Sequence, residues 1–266
     1  MEDSYVHGYS DREQSRLHDQ AGTLVRLLHD GTRYPAGSLV LEAGCGVGAQ
    51  SSFLAMSSPG ARIISLDISE ASIRQARCAT RGVPARVTHV VGDLLQLPWP
   101  AETFDHVFVC FVLEHLREPL AALRALRAVL RPGGSLTVIE GDHGSAYFHP
   151  DSAAARRAIG CLVAAQAHVG GDALIGRRLY ALLREAGFGA VHVSPRVVYA
   201  DASRPEMVEG FTAKTFIAMV AGARAAALEL DLIDAAAWDQ GLADLRRTMD
   251  ADGSFSYTFF KAVTTR

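Results

Sequence analysis

The amino-acid sequence predicts an α/β fold built on a doubly wound parallel sheet. Short apolar segments recur between residues 39 and 140, and helical segments separate them. These apolar segments lack the polar–apolar alternation of a half-exposed strand, so the sheet should be buried on both faces and covered by helices. With 266 residues, 49% of them hydrophobic and 21% charged, the chain can bury a core of that size.

A helix is predicted first, over residues 10–31. Ser10 and Glu13 have the spacing of a capping box, and Gly31 can close the helix. From residue 39 onward, strands and helices alternate. The predicted strands are 39–42, 62–67, 85–91, 104–111 and 135–140, and the predicted helices are 47–56, 70–81 and 119–130.

The second half of the chain is richer in helix. Helices are predicted over 151–169 and 173–186, a sixth strand over 189–194, and mostly helical structure over 204–249. The segment 254–263 is rich in aromatic residues and threonine, which favours a seventh and last strand running antiparallel to its neighbours.

The domain organisation follows from these elements. We expect a helical cap over residues 1–34 and one domain over 35–266, interrupted by insertions at 141–172 and 201–252. Both insertions would emerge at the carboxyl edge of the sheet, where open α/β sheets bind ligands. The insertions are therefore expected to form a helical lid.

Composition excludes several classes of protein. The net charge of −3 offers no basic face for gripping DNA or RNA. The four cysteines form no C-x-x-C pair, so neither a disulfide framework nor a zinc site is indicated. The polar start lacks the hydrophobic core of a signal peptide, and no apolar run approaches the roughly 18 residues of a membrane span. A cytoplasmic protein with no membrane and no nucleic-acid partner is predicted.

A glycine-rich loop carries the strongest chemical signal. Gly44, Gly46 and Gly48 stand between the first strand and a helix, where the backbone must turn sharply and come close to a ligand. Gly44-x-Gly46-x-x-Ala49 also fits the dinucleotide fingerprint, with Asp67 about 20 residues further on to bind a ribose. On these residues alone, both NAD and another nucleoside cofactor remain open.

Five sequence blocks in order resemble the class I S-adenosylmethionine (SAM)-dependent methyltransferases, and among them the small-molecule group that includes the ubiquinone/menaquinone-biosynthesis enzymes. The resemblance covers residues 38–141 and implies a Rossmann-like fold, SAM as the cofactor and a small-molecule substrate. The blocks are Glu42-Ala-Gly-Cys-Gly-Val-Gly48, Asp67-Ile68, Gly92-Asp93-Leu94 with the segment up to Asp105, Cys110–Leu116 and Leu130-Arg-Pro-Gly-Gly134.

The same resemblance implies roles for individual residues. The backbone of Gly44–Gly48 would lie against the methionine part of the cofactor, with Glu42 as the leading acid of the motif. The other implied contacts are Asp67 with the ribose hydroxyls, Ile68 and Leu94 beside the adenine, Asp93 with the adenine amino group, and Phe111 near the sulfonium. Packing in the core is the alternative for Ile68, Leu94 and Phe111, and a cap or a turn is the alternative for both aspartates.

Methyl transfer from a sulfonium mainly requires alignment of the nucleophile, which can supply roughly 7–11 kcal/mol. A general base is needed only if the acceptor loses a proton early, and histidine suits that task. His143 and His149 follow the fifth strand and are the candidates, with Asp142 and Tyr147 nearby. The alternatives are a polar loop whose histidines bond to the backbone, and a metal site, for which one loop supplies too few partners.

The N-terminal segment offers a second group of candidates. In related methyltransferases an N-terminal helix closes over the cofactor. Tyr9 and Gln20 are therefore predicted to contact the cofactor, and Tyr5 and His7 the substrate. Whether this cap would cover its own subunit or a neighbouring one stays open, so a homo-oligomer is possible.

The predicted substrate is small and largely apolar or aromatic. The second insertion supplies an apolar set that either packs in the core or lines the site: Phe211, Phe216, Ile217, Met219 and Val220. The resemblance implies tailoring of natural products. The scarcity of obvious bases slightly favours C-methylation over N- or O-methylation, because an electron-rich carbon needs little deprotonation.

Two other functions stay open from the sequence. One is a catalytically silent SAM-binding partner on the same fold. The other is an NAD-dependent oxidoreductase of the short-chain type, which would use a Tyr-x-x-x-Lys pair on a helix. Tyr257 and Lys261 have that spacing, but they lie in the predicted last strand, where their side chains would stand too far apart.

Overall fold

The computed structural model describes residues 24–266. Residues 24–29 are helical and end the first predicted helix. Tyr5, His7, Tyr9 and Gln20 lie outside the described residues, so their predicted contacts stay predictions.

The central feature is an eight-stranded sheet in the order β3-β2-β1-β4-β5-β8-β6, with β7 also paired to β8. The strands are β1 (Leu39–Ala43), β2 (Arg62–Asp67), β3 (Arg86–Val91), β4 (Phe104–Cys110), β5 (Leu130–Gly141), β6 (Tyr147–His149), β7 (Val191–Asp201) and β8 (Ser254–Thr265). Strands β1 to β5 pair in parallel, whereas β6 pairs antiparallel with β8. The predicted fold class is confirmed.

The helices are α1 (Ala49–Ser57), α2 (Glu70–Ala79), α3 (Pro119–Val129), α4 (Ala153–His168), α5 (Leu179–Glu185), α6 (Pro205–Glu229) and α7 (Ala235–Arg246). Helix α6 is a succession of short segments that includes a π-helical stretch, Val208–Ile217. Ser69, Ser152 and Asp234 cap α2, α4 and α7 with their side-chain oxygens.

The structure has one strand more than the seven predicted. The additional strand is β6, only three residues long, in a segment for which no strand was predicted and a polar loop was one alternative. Its central residue, Phe148, is buried and stacks on Phe255 of β8, with the ring centroids 6.3 Å apart. So short a strand has no periodicity of its own, and it forms because β8 supplies the partner.

The sheet order reverses at β1, which lies between β2 and β4. Val40, Leu41 and Val107 are fully buried there, as expected for strands covered on both faces. The loop that follows β1 therefore begins at the topological switch point, where open α/β sheets bind their ligands.

The chain divides into two compact units. The sheet unit comprises Leu27–Glu140, Gly176–Pro195 and Phe260–Arg266. The insertion unit comprises Gly141–Ile175, Arg196–Phe259 and, of the described chain, residues 24–26. The insertions predicted over 141–172 and 201–252 both fall within the insertion unit.

Helix α6 corrects one expectation. Among residues 24–266 it is the one helix that is long and apolar enough, by length and composition, to cross a membrane. It has 25 residues, and half of its most apolar stretch is buried. Its rings pack within the insertion unit: Phe211 and Phe216 each lie 5.5 Å from the ring of Tyr257. A helix in a protein core can have the same length and apolar composition as a membrane span.

Candidate active site

The loop after β1 uses three glycines in the left-handed region, with φ values of 77° at Gly44, 51° at Gly46 and 83° at Gly48. A side chain at Gly44 would overlap Val112, and one at Gly48 would place its Cβ 2.7 Å from the Cα of Ala76. A Cβ at Gly46, in contrast, would meet no described atom within 4 Å. Gly46 therefore borders open space, while its two neighbours hold the loop against the protein.

Glu42 lies beneath this loop and is almost completely buried. The hydroxyl groups of Ser51 and Ser65 donate hydrogen bonds to its Oε2, at 2.5 and 2.6 Å. Its Oε1 has no hydrogen-bond partner among the described residues. Burial raises the pKa of Glu42 to about 7, and the nearby charge of Asp67 adds to that rise. The unpaired oxygen is a buried acceptor that a donor on a ligand could satisfy.

Asp67 ends β2 and is joined to the glycine loop. Its Oδ2 accepts a hydrogen bond from the Gly46 N–H at 2.8 Å, and its Oδ1 accepts one from the Ser69 N–H at 2.9 Å. Burial raises its pKa, and the backbone N–H groups around it oppose that rise. A carboxylate offers about four acceptor positions, so Asp67 can still accept hydrogen bonds from two hydroxyls.

The residues after β2 and β3 lie at the same edge. Ile68 exposes 56% of its surface directly after Asp67. The Gly92 N–H donates to the Asp67 carbonyl oxygen at 3.0 Å, which brings the end of β3 beside it. The Asp93 Oδ1 accepts from the Leu95 N–H at 2.8 Å, and the side chain of Leu94 is buried. Leu94 thus packs in the core, whereas Ile68 offers an open apolar surface.

Phe111 follows β4 with a φ of 57°, a conformation that is rare for a bulky residue. Its N–H donates to the Ile139 carbonyl oxygen at 2.9 Å. The next two N–H groups, of Val112 and Leu113, donate to the Oε1 of Glu140 at 3.0 and 2.8 Å. The turn after β4 is therefore held by the end of β5. The prediction singled out Phe111 but missed Glu140.

These features fit a nucleoside cofactor with an amino-acid tail. The backbone at Gly46 leaves room for the ligand, Glu42 keeps an unpaired acceptor for a cationic donor, and Asp67 retains acceptor positions for a ribose. The exposed face of Ile68 suits a flat apolar ring. All of these residues belong to the sheet unit.

His143 lies in the insertion unit, two residues after β5, and exposes only 4% of its surface. Its Nδ1 lies 2.7 Å from the Oη of Tyr257, and its backbone N–H donates to the Ala173 carbonyl oxygen at 2.9 Å. A side chain at Gly141 would overlap the Tyr257 Oη, so glycine is needed for that hydroxyl to fit. In the sequence, Tyr257 stands out only for its spacing from Lys261, and no local pattern indicates its bond to His143.

His149 has a different environment from His143. It is exposed, at the end of β6, where it pairs with Ser254. Tyr147, also predicted near the site, exposes 67% of its surface. The two candidate bases thus differ: one is a buried histidine with a side-chain partner, and the other lies at the surface of the insertion unit.

The apolar set of the second insertion packs in the core and does not line a site. Phe211, Phe216, Ile217, Met219 and Val220 are all buried, so they form part of the core of the insertion unit. The Nζ of Lys261 donates to the Asp30 carbonyl oxygen and to the Thr32 Oγ1, both at 2.6 Å, whereas Tyr257 is bonded to His143. Tyr257 and Lys261 therefore do not form the pair of a short-chain oxidoreductase. Residues 24–266 contain no group of three metal-ligating side chains.

Comparison with known proteins places the glycine loop in a family. Residues 41–138 match the family described as "Methyltransferase domain". A protein of Streptomyces fradiae, described as an uncharacterized 37.1 kDa protein in a transposon, is 33% identical over 79% of this chain and 61% of its own length. The 27-O-demethylrifamycin SV methyltransferase of Amycolatopsis mediterranei is 31% identical over 50% of this chain and 49% of its own length. The chain thus matches about half to three-fifths of these relatives.

A solved structure shares the fold. It is phosphoethanolamine N-methyltransferase 2 of Haemonchus contortus in complex with SAM, which is 16% identical and superposes with a TM-score of 0.55. The superposition covers 93% of this chain and 53% of that one. The low identity limits this likeness to the fold.

Proposed function

We propose that this chain, a member of the class I SAM-dependent methyltransferases, transfers a methyl group from SAM to a small, largely apolar or aromatic metabolite in natural-product biosynthesis. The observation that carries the proposal is the loop at the switch point of the sheet, with Gly46 open to a ligand and Asp67 bonded to the Gly46 N–H. The likeness to a rifamycin methyltransferase supports the class of substrate.

The cofactor would be held by the sheet unit. Gly44, Gly46 and Gly48 would supply the backbone surface for its methionine part, and the unpaired Glu42 Oε1 would accept a hydrogen bond from its ammonium group. Asp67 would accept the ribose hydroxyls, with Ile68 and Asp93 beside the adenine and Phe111 near the sulfonium. The buried Leu94 would support this part of the site from the core. When bound, SAM supplies an electrophilic methyl group on a positively charged sulfur, so the protein needs no activating group for it.

The acceptor requires orientation and, for some nucleophiles, the loss of a proton. His143 is the proposed base. If its Nδ1 carries the proton, it donates to the Tyr257 Oη, and Nε2 is then the basic nitrogen. His149 is the second candidate. C-methylation is slightly favoured over N- or O-methylation, because an electron-rich carbon attacks before it loses its proton.

The proposed partners follow from charge and chemistry. A net charge of −3 disfavours nucleic acid, and the packing of α6 within the insertion unit disfavours a membrane partner. The four cysteines of the chain are unpaired, which suits the reducing cytoplasm. An N-terminal cap could cover its own subunit or a neighbouring one, and only the second arrangement requires a homo-oligomer.

The first experiment is a calorimetric titration of the protein with SAM, S-adenosylhomocysteine (SAH) and NADH. We expect SAM and SAH to bind with micromolar affinity and NADH to give no signal. Binding of NADH alone would refute the proposal, since the loop would then be a dinucleotide site. Tyr180→Phe is a suitable reference protein, because this tyrosine of α5 is exposed and is distant from the glycine loop in sequence.

The second experiment separates an enzyme from a silent SAM-binding protein. SAM is incubated with the protein and a panel of indoles, phenols, quinones and terpenoids, and the SAH formed is measured. Conversion with one class identifies the acceptor. Binding of SAM without conversion by any class would favour the silent alternative. Unchanged turnover of His143→Ala would remove the proposed role of that residue.

A further inference from the structure

Glu140 has no role in the motifs described so far, yet it occupies a central place in the sheet unit. It is the penultimate residue of β5, and its side chain is completely buried. Its Oε1 accepts two hydrogen bonds, from the N–H groups of Val112 and Leu113. Its Oε2 has no hydrogen-bond partner among the described residues. A buried carboxyl group in this position needs a reason, because burying an acid is costly.

The turn that Glu140 holds is strained. Phe111 has a φ of 57°, and a residue with a large side chain keeps such a conformation only where its surroundings impose it. The N–H of Phe111 is held by the Ile139 carbonyl oxygen, and the next two N–H groups are held by Glu140. Two consecutive residues of β5 therefore hold three consecutive N–H groups of the turn.

The same turn packs on the glycine loop. The methyl groups of Val112 occupy the space that a side chain at Gly44 would need. A movement of Val112 would therefore remove the support on one side of the loop. The contacts run from the Glu140 carboxyl group to the Val112 N–H, and from the Val112 side chain to Gly44.

The protonation state of Glu140 suits this task. Burial raises its pKa well above the usual range, and the charge of Glu114 raises it further. A neutral carboxylic acid still accepts both N–H groups through its carbonyl oxygen. Glutamine presents the same carbonyl oxygen and is also neutral, so it should replace this acid with little loss.

We propose that Glu140 is a positioning residue, which holds the strained Phe111–Leu113 turn against the glycine loop and so shapes the cofactor site before the cofactor binds. The inference rests on the proposed function, because it concerns the same SAM site. It assigns a role to a residue at the end of β5 that does not itself need to touch the ligand.

The test compares the affinity for SAH, measured by calorimetry, of the wild-type chain and of Glu140→Gln, Glu140→Ala and Glu140→Asp. We expect Glu140→Gln to stay within about threefold of wild type and Glu140→Ala to bind at least tenfold more weakly, since two buried N–H groups lose their acceptor. Glu140→Asp, which is one methylene shorter, should lie between them. It provides the comparison if the alanine variant does not fold.

Val138→Ala is the matched control. Val138 is a fully buried residue of the same strand, and its truncation leaves a cavity while all three hydrogen bonds to the Phe111–Leu113 turn remain. We expect a lower melting temperature and an unchanged affinity for SAH. In NMR spectra the amide signals of Val112 and Leu113 should shift in Glu140→Ala and remain near their wild-type positions in Glu140→Gln.

Each outcome bears on a different statement. If the wild-type chain fails to bind SAM and SAH, the proposed function fails, and the inference fails with it. If the wild-type chain binds SAH and folded Glu140→Ala or Glu140→Asp binds it equally well, only the inference is overturned. A folded Glu140→Gln that binds as weakly as Glu140→Ala would also overturn it, because the hydrogen-bond acceptor alone would then not suffice.

Discussion

The glycine loop and the segment after β5 are built in contrasting ways. In the sheet unit, the loop from Gly44 to Gly48 is shaped by its own backbone and by residues of adjacent parallel strands. In the insertion unit, the segment from Gly141 to His149 is fixed by β8, which lies more than a hundred residues further along the chain. The first region keeps polar groups available for a ligand, whereas the second pairs His143 with Tyr257 in a buried environment.

This difference shows what each kind of site requires. A cofactor site made of backbone and strand ends depends on short spacings that a sequence displays directly. A site made of a buried side-chain pair depends on where distant strands meet. The following substitutions test the contrast, from the largest expected effect to the smallest.

The strongest test compares two glycines of the same loop. Gly48→Ala should destabilise the protein by about 2–5 kcal/mol, because it adds the cost of the left-handed backbone to a collision with Ala76. Gly46→Ala should cost only about 1 kcal/mol in stability, since its methyl group meets open space. It should nevertheless weaken SAH binding more than tenfold, because that space is the proposed cofactor site.

Urea denaturation and calorimetry measure the two effects separately. Equal loss of stability in both variants would contradict the geometry of the loop. Wild-type affinity for SAH in Gly46→Ala would show that the open space beside Gly46 does not hold the cofactor.

His29, a buried histidine of the sheet unit, gives the next largest expected effect, on the pH dependence of stability. His29 stacks on Phe53 and Phe108, and its Nε2 lies 2.5 Å from the Gln50 Oε1. Burial lowers its pKa from 6.5 to about 4, and the charge of Lys261 also lowers it. Since the unfolded chain binds this proton more readily, stability should fall by about 3 kcal/mol as the pH drops from 6.5 through 4.

The free energy of unfolding, measured by urea titration between pH 7 and pH 4, checks this prediction. His29→Leu removes the titrating group and should flatten this part of the pH dependence. The same slope in the wild-type and His29→Leu proteins would assign the acid sensitivity to other groups.

Asp67 tests the part of the cofactor site formed by a strand end. Asp67→Ala removes the acceptor of the Gly46 N–H and the proposed acceptor of the ribose hydroxyls, so the affinity for SAH should fall about 10- to 100-fold. Asp67→Asn keeps one acceptor oxygen and should lose less. Calorimetry gives both values, and an alanine variant that binds SAM as tightly as wild type would withdraw the assignment of Asp67.

Tyr257 gives the smallest effect. Tyr257→Phe keeps the ring among Phe211, Phe216 and Phe259 but removes the hydrogen bond to His143, so it should cost about 1 kcal/mol. Tyr180→Phe, at an exposed position, serves as the control and should change nothing. An unchanged free energy of unfolding in Tyr257→Phe would show that the bond does not stabilise the insertion unit.

Most of the fold could be predicted because its signals are local. The boundaries of β1 to β4 and of α1 to α3 agree with the predicted ones to within about two residues. The exceptions are elements whose bounds or existence depend on pairing with a segment that is distant in the sequence. Strand β5 begins at Leu130, across a segment predicted as a turn, because Leu130 pairs with Phe104 of β4 and the backbones of Gly133 and Gly134 bond to Arg266. Strand β6 forms only because β8 lies beside it.

The candidate site divides in the same way. The positions of Gly44, Gly46, Gly48 and Asp67 could be predicted, since backbone geometry and strand order follow from spacing within about 30 residues. Glu140 could not be singled out, because an acid at the end of a buried strand gives no local sign that it will accept the N–H groups of residues 112 and 113.

By itself, the sequence determined the class of fold and the conformation of the glycine loop, because apolar periodicity and glycine spacing act over short stretches of chain. The tertiary structure alone decided that His143 is buried against Tyr257, that Val112 packs on Gly44, and that Glu140 holds the turn between them. The hydrogen bonds among those contacts join residues 27 to 114 positions apart, and the packing depends on shape complementarity, so a chain acquires both only when its strands come together.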